Sequence, residues 1–168
     1  MTFITMNSDE PLYEAVRRKY PYAKFYEGLD DAPDVNSFDK EKNNLVIFDD
    51  MMLKKGKKAI ELIGDYMITC RKRGVSLFFL AQAFFNTDII IRRQISHLAL
   101  LSGASPKDIG LVLKNYSTDV DDSTLMAMYS HSVAPRLDQS KGVFIIDLSK
   151  SPTAYWDGFR SQLCFCRR

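Results

Sequence analysis

A three-layer α/β sandwich around a mostly parallel sheet is the fold this sequence predicts, and three observations predict it. Short apolar strands alternate with segments of helical period, the order that builds strand-helix-strand units. Leu45-Val46-Ile47-Phe48 and residues 75–80 are apolar runs that do not alternate with polar residues, as expected of parallel strands covered on both faces. The 168 residues, 46% of them hydrophobic, suffice for one sizeable core and are few for two, so a single domain over residues 1–168 is expected.

The elements follow in order. Residues 2–6 are β-branched and apolar and read as a strand; Ser8 is a candidate N-cap, with Pro11 in the first turn of a helix running to about Tyr20. A short strand at 23–26 leads into an acidic, proline-containing stretch, 27–39, expected as a surface loop. The strand at 45–48 ends in Asp49-Asp50. Beyond a lysine cluster, Ile60, Ile63 and Met67 recur at helical spacing, and Gly74 is placed to end that helix in a left-handed cap. The buried strand at 75–80 closes on Ala81-Gln82. A short helix is expected at 87–95, a strand at 97–101, a helix capped by Ser105 and opened by Pro106, and another helix at 122–132. The tail, at 143–148 and 154–159, reads as a closing strand and an edge strand. No internal repeat interrupts this order.

Composition narrows the classes. A formal net charge of +2 neither demands nor excludes a nucleic-acid partner. Cys70, Cys164 and Cys166 make no even-numbered framework, which points to free thiols in a reducing compartment. The apolar run at 75–85 is broken by Ser76 and Gln82 and falls well short of the roughly 20 residues that span a bilayer. Met1 leads straight into a strand, with no basic region, apolar core or cleavage site, so no membrane segment and no secretion are expected.

Ligands of such a sheet sit at the carboxyl ends of its strands, where Asp49, Asp50 and Gln82 all fall. An apolar strand ending in two acids suits a magnesium nucleotide site, because one carboxylate can hold the hydrated metal and the next can orient an attacking water. A helix cap or a solvated turn uses the same residues. Gln82, one strand over, is placed to sense a terminal phosphate, or is simply a polar residue at a strand end. Arg71-Lys72-Arg73-Gly74 offers a guanidinium that could reach a neighbouring subunit. Cations in the last turn of a helix are an equally adequate account of it.

Taken in order, the strand from Leu45 to Asp50, the Arg71-Lys72-Arg73-Gly74 segment, Leu80-Ala81-Gln82 and Ile91-Arg92-Arg93 resemble the FtsK/HerA superfamily. The likeness is to the poxvirus-type genome-packaging ATPases of large DNA viruses, and residues 7–13 and 38–50 look like the same branch. The resemblance implies a P-loop NTPase fold of the ASCE/RecA type and a ring-forming homo-oligomer that hydrolyses ATP with magnesium to drive double-stranded DNA into a capsid. It also implies work in the virion or in the host-cell cytoplasm and viral factory. By the same resemblance Asp49 is the magnesium-binding acid of a Walker B strand, Asp50 the base or water-positioning acid, and Gln82 the phosphate sensor. Arg71 or Arg73 is the first choice for a trans-acting finger, with Arg92 and Arg93 the second. Asp50 departs from the Glu common at the base position.

A larger departure is the Walker A loop. A phosphate cradle needs a glycine-rich loop with Lys and Ser or Thr opening a helix, and no G-x-x-x-x-G-K-[ST] occurs in the chain. In the family that loop and its strand precede the position of Thr2. The expectation is therefore an amino-terminally truncated or degenerate ATPase domain, lacking a central strand and unable to bind ATP tightly alone, with exposed backbone edges as the consequence. The rival expectation is a non-catalytic interaction module that binds a partner subunit or the DNA backbone.

Three further features carry less. Lys54, Lys55, Lys57 and Lys58 can contact DNA phosphates, although a solvated helix start accounts for them. Cys164 and Cys166 have no second pair with which to build a metal site. His97 and His131 read as packing or surface residues, and no Ser/His/Asp arrangement is expected.

Overall fold

The computed structural model describes residues 1–51, 56–103, 105–116, 119–135 and 142–164. The chain divides into two compact units, residues 1–94 and 95–168, each with its own sheet.

In the first unit β1 (Thr2–Thr5), β2 (Lys24–Glu27), β3 (Asn44–Asp49) and β4 (Val75–Leu80) form a wholly parallel sheet in the order β2-β1-β3-β4. Side chains alternate between its faces, and helices cover both. Phe3 and Ile47 point to one face and pack with Tyr13 and Val16 of α1 (Pro11–Lys19). Ile4, Val46 and Phe48 point to the other and pack with Ile63 and Tyr66 of α2 (Lys57–Thr69). This is the three-layer arrangement, and it explains why β3 carries no alternation: both of its faces are interior.

Several local signals act as the sequence implies. Pro11 opens α1. Gly74 adopts φ 63 and caps the helical turn Cys70–Arg73 with its N–H on Cys70 O, a conformation that costs a residue with a Cβ more. Others differ. Ser8 caps nothing; Glu10 holds the N-cap position without a side-chain bond, and Ser8 Oγ donates to Glu27 Oε2 at 3.1 Å. The stretch 27–39 is not merely a surface loop, since Leu29 and Val35 are buried in the α2-side core. β4 is a strand where expected but, among the described residues, is covered on one face only. Leu77 and Phe79 pack toward α2, whereas Phe78 is 53% and Leu80 47% exposed, because α1 packs over β1, β2 and β3 and leaves the outer strand bare.

The second unit begins after α3 (Ile89–Arg93) and corrects the expectation of one mostly parallel sheet. β5 (His97–Leu101), β6 (Val143–Asp147), β7 (Ala154–Asp157) and β8 (Ser161–Leu163) are antiparallel in the order β5-β6-β7-β8. The chain enters the last two pairings through short turns, which only antiparallel strands allow. β7 is therefore interior and the short β8 is the edge. α4 (Pro106–Tyr116) and α5 (Asp122–Val133) cover one face, with Leu113, Leu125, Phe144, Ile146 and Tyr155 at the centre of the core. Ser105 caps α4 through Asp108 N at 3.1 Å, and Asp121 caps α5 through Thr124 N at 2.9 Å.

Candidate functional site

Because β1 to β4 are parallel, all their carboxyl ends meet at one rim. Register places Asp49 beside Thr5 of β1 and Leu80 of β4, so Gln82 emerges two residues later next to the acidic pair. Gln82 Nε2 donates to Asp50 Oδ1 at 3.3 Å. The backbone helps: Asp50 adopts φ 57, turning the chain sharply at the end of β3. Among non-glycine residues Asp and Asn tolerate that region best, because their short side chains can bond locally.

Asp49 is anchored from the other side. Tyr13, 3% exposed, donates its hydroxyl hydrogen bond to Asp49 Oδ2 and lies 3.3 Å from Thr5 Oγ1. Its ring is wedged edge-on against Phe3 and Phe25, with centroids 5.8 Å and 5.5 Å away. Burial, reinforced by the Asp49 carboxylate, pushes the phenol up to about 12, so at neutral pH it remains a donor. Tyr13 was not singled out by motif. The signal available was its place on the apolar face of α1 next to the carboxyl end of β1.

A magnesium ion is held by one or two carboxylates, with water and phosphate oxygens completing its shell. Asp49 and Asp50 fit that donor set: they are adjacent carboxylates at one rim, with Tyr13 engaging Asp49 Oδ2. Among the described residues no group of three His, Cys, Asp or Glu side chains is placed to hold a metal, so a site closed by protein ligands alone is not present there.

The arginines fall in two places. Arg71 and Arg73 precede β4 and lie at the amino rim, a strand length of about 17 Å from the acidic pair. Arg73 Nη2 donates to Asn36 Oδ1 at 2.6 Å, and Arg71 is exposed. Arg92 and Arg93 follow the carboxyl end of β4 on α3, whose Ile91 is buried with Ile63 of α2. The Arg92 guanidinium stands over the Phe84 ring, 5.4 Å from its centroid, and Arg93 is exposed. Lys54, Lys55 and Cys166 lie outside the described residues; Lys57 and Lys58 are exposed, Lys57 pairing with Glu61 at 3.9 Å.

In the second unit His97 Nε2 lies 3.3 Å from Asp147 Oδ1, and its Nδ1 is 3.0 Å from Ser96 Oγ. This brings a Ser, a His and an Asp together, which the sequence reading did not foresee. The same Asp147 oxygen also accepts from Ser149 N and Oγ, so the row serves to tie the start of β5 to the end of β6.

No helix among the described residues is long and apolar enough to cross a membrane. No curated protein and no solved structure matches the chain. The family model of the poxvirus A32 protein matches residues 10–153, a span that takes in the acidic pair, Gln82 and all four arginines. The chain therefore belongs to the poxvirus A32 protein family, the poxvirus-type genome-packaging ATPases that its sequence resembles.

Proposed function

We propose that this chain is the metal-binding part of a DNA-packaging ATPase of the FtsK/HerA type, with β3 as its Walker B strand. The convergence of Asp49, Asp50 and Gln82 on one rim, joined by the Asp50–Gln82 hydrogen bond, carries the reading. Bound magnesium supplies charge neutralisation for a triphosphate and orients its oxygens. Asp49 would hold the ion through its carboxylate, which Tyr13 fixes from behind. Asp50 positions a water, and Gln82, bonded to Asp50, reports the terminal phosphate to it. Arg92 and Arg93, which follow the same rim, are the candidates to stabilise developing charge within the subunit, whereas Arg71 and Arg73 can do so only across a subunit boundary. In this reading the protein translocates double-stranded DNA as a homo-oligomeric ring in the virion or viral factory.

The sequence holds no glycine-rich phosphate loop, so the chain by itself is expected to bind Mg-ATP weakly and to turn it over poorly. That absence also favours a second reading, a non-catalytic module that keeps the fold to bind a subunit or DNA. Titration with manganese, followed by water-proton relaxation, tests the first reading. Saturable binding that disappears in Asp49→Ala is the expected result. Binding that survives this change, or an ATPase bearing the phosphate loop that keeps normal turnover with it, would remove the metal role. A folded chain with neither manganese nor Mg-ATP affinity would leave the interaction module.

A further inference from the structure

The amino rim of the parallel sheet gathers cations that the acidic rim does not use. Lys24 opens β2, Lys40 and Lys42 lie in the turn before β3, and Arg71, Lys72 and Arg73 immediately precede β4. α1 runs back from the carboxyl end of β1 to the start of β2, so Arg17, Arg18 and Lys19 in its last turn reach the same end. Backbone contacts tie these pieces together. Lys24 N donates to Met1 O at 3.0 Å and Asn44 N to Gly74 O at 3.3 Å. Gly74 lies so close to the turn that an added Cβ would stand 3.2 Å from Lys40 O.

Local structure accounts for only part of this charge. Helix C-termini favour cations, which suffices for the ends of α1 and of the turn after α2. Lys24, Lys40 and Lys42 are on no helix. Among acids of the adjoining loop, Asp39 pairs with Lys42 at 3.1 Å, while Asp34 and Glu41 form no ion pair among the described residues. Arg17 is spent over the Phe25 ring, 4.2 Å from its centroid, and Arg73 on Asn36. Lys24, Lys40, Arg71 and Lys72 remain exposed with no ion pair among the described residues.

These four are spread from β2 to β4, three strand spacings or roughly 14 Å. Duplex DNA carries a charge per about 1.7 Å of axis with both strands counted, so a segment of this length carries about eight phosphate charges, of which one side faces the rim. Tyr20 and Tyr22 also lie here, but they pack edge to face on each other with centroids 6.0 Å apart. A row of stacking platforms for single-stranded bases is not what they form.

We propose that the amino rim, through Lys24, Lys40, Arg71 and Lys72, binds the phosphate backbone of duplex DNA on the side of the sheet opposite the acidic pair. The identity of the polyanion rests on the packaging reading; the surface itself rests on the placement of the charges. Arg71 and Lys72 then serve DNA rather than a neighbouring nucleotide.

The full chain is titrated against a short labelled duplex of mixed sequence, followed by anisotropy at several salt concentrations. Replacing the four residues with Gln is expected to weaken binding about tenfold or more at low salt and to flatten the log–log salt slope by about 3 to 4, near 0.9 per contact. Lys24→Arg/Lys40→Arg/Lys72→Arg keeps the charge and should keep the wild-type slope, and Lys57→Gln/Lys58→Gln, on the other rim, should leave affinity unchanged. Circular dichroism melting checks that each variant is folded. Full affinity in the four-residue variant overturns the proposal, as does loss confined to the Lys57/Lys58 variant, tighter binding of a single strand than of the duplex, or no duplex binding by the wild type. The metal role of Asp49 is read separately by manganese binding, so either proposal can fail while the other stands.

Discussion

Two four-stranded sheets in this molecule are built from similar apolar runs, and they differ in what their ends can do. In the first unit all strands point one way, so Asp49, Asp50 and the sequence-distant Gln82 come together at one rim, and Lys24, Lys40, Lys42, Arg71, Lys72 and Arg73 gather at the other. In the second unit the strands alternate in direction, and each rim mixes strand starts with strand ends. There a carboxylate at the end of β6, Asp147, meets His97 at the start of β5 and is consumed as a structural tie. Parallel pairing brings sequence-distant strand ends to one rim; antiparallel pairing spends the same residue types on holding neighbours together.

The largest test of that contrast is energetic. Phe48 and Phe144 are each fully buried, one in each unit. Either change to Ala should cost about 3–5 kcal/mol. Trp156, the only tryptophan, lies on β7 and reports the second unit by its fluorescence. Phe48→Ala is expected to shift the urea transition seen by far-ultraviolet dichroism more than that seen by Trp156. Equal shifts in both probes would mean that the two units unfold as one, and the comparison would break.

A smaller effect sharpens the chemistry. Tyr13→Phe keeps the ring among Phe3 and Phe25 but removes the donor to Asp49, an interaction of about 1.5–3 kcal/mol when the acceptor is charged. It should also weaken manganese binding, because the carboxylate is no longer held in one orientation. An unchanged manganese affinity would reduce Tyr13 to a packing residue. Gly74→Ala, at φ 63, should cost about 1–2 kcal/mol in thermal unfolding.

The mildest tests use pH, and the units should answer at opposite ends of the scale. Burial and Asp49 raise the Tyr13 phenol from 10.0 to about 12. Its contribution is therefore complete below pH 10 and lost as pH climbs toward 12, a loss absent from Tyr13→Phe. For Asp147, burial pushes the carboxyl up but is outweighed by the Ser149 hydrogen bonds and by His97, leaving it below its ordinary 3.8. Its contribution is present above that value and lost as the pH falls through the lowered one. Ser149→Ala should flatten the acid limb of a Trp156-detected melt, and an identical limb would show that the tie adds nothing measurable.

Much of this was legible in the residues. The unalternating run at 45–48 correctly implied a strand interior on both faces, and the order of acids, Gln82 and arginines carried the family. The same rule failed for 75–80, since composition cannot say whether a helix lies over the outer strand, and here none covers Phe78 and Leu80 among the described residues. Direction was invisible too: Val143-Phe144-Ile145-Ile146 is as apolar as β3 yet runs antiparallel. What decides it is the short turns after β6 and β7. Tyr13 escaped notice because its partner lies in a strand reached only through the fold. The Arg71 and Arg73 segment was rightly seen at an element end, but which rim it occupies depends on strand direction, not on local pattern.

The left-handed backbone at Asp50 also limits which acid can stand there. A glutamate at this bend would force an extra methylene into a conformation that disfavours it, while the shorter aspartate settles there with less strain. Swapping one acid for the other is thus no conservative edit at this corner. The geometry of the main chain alone favours the shorter side chain there.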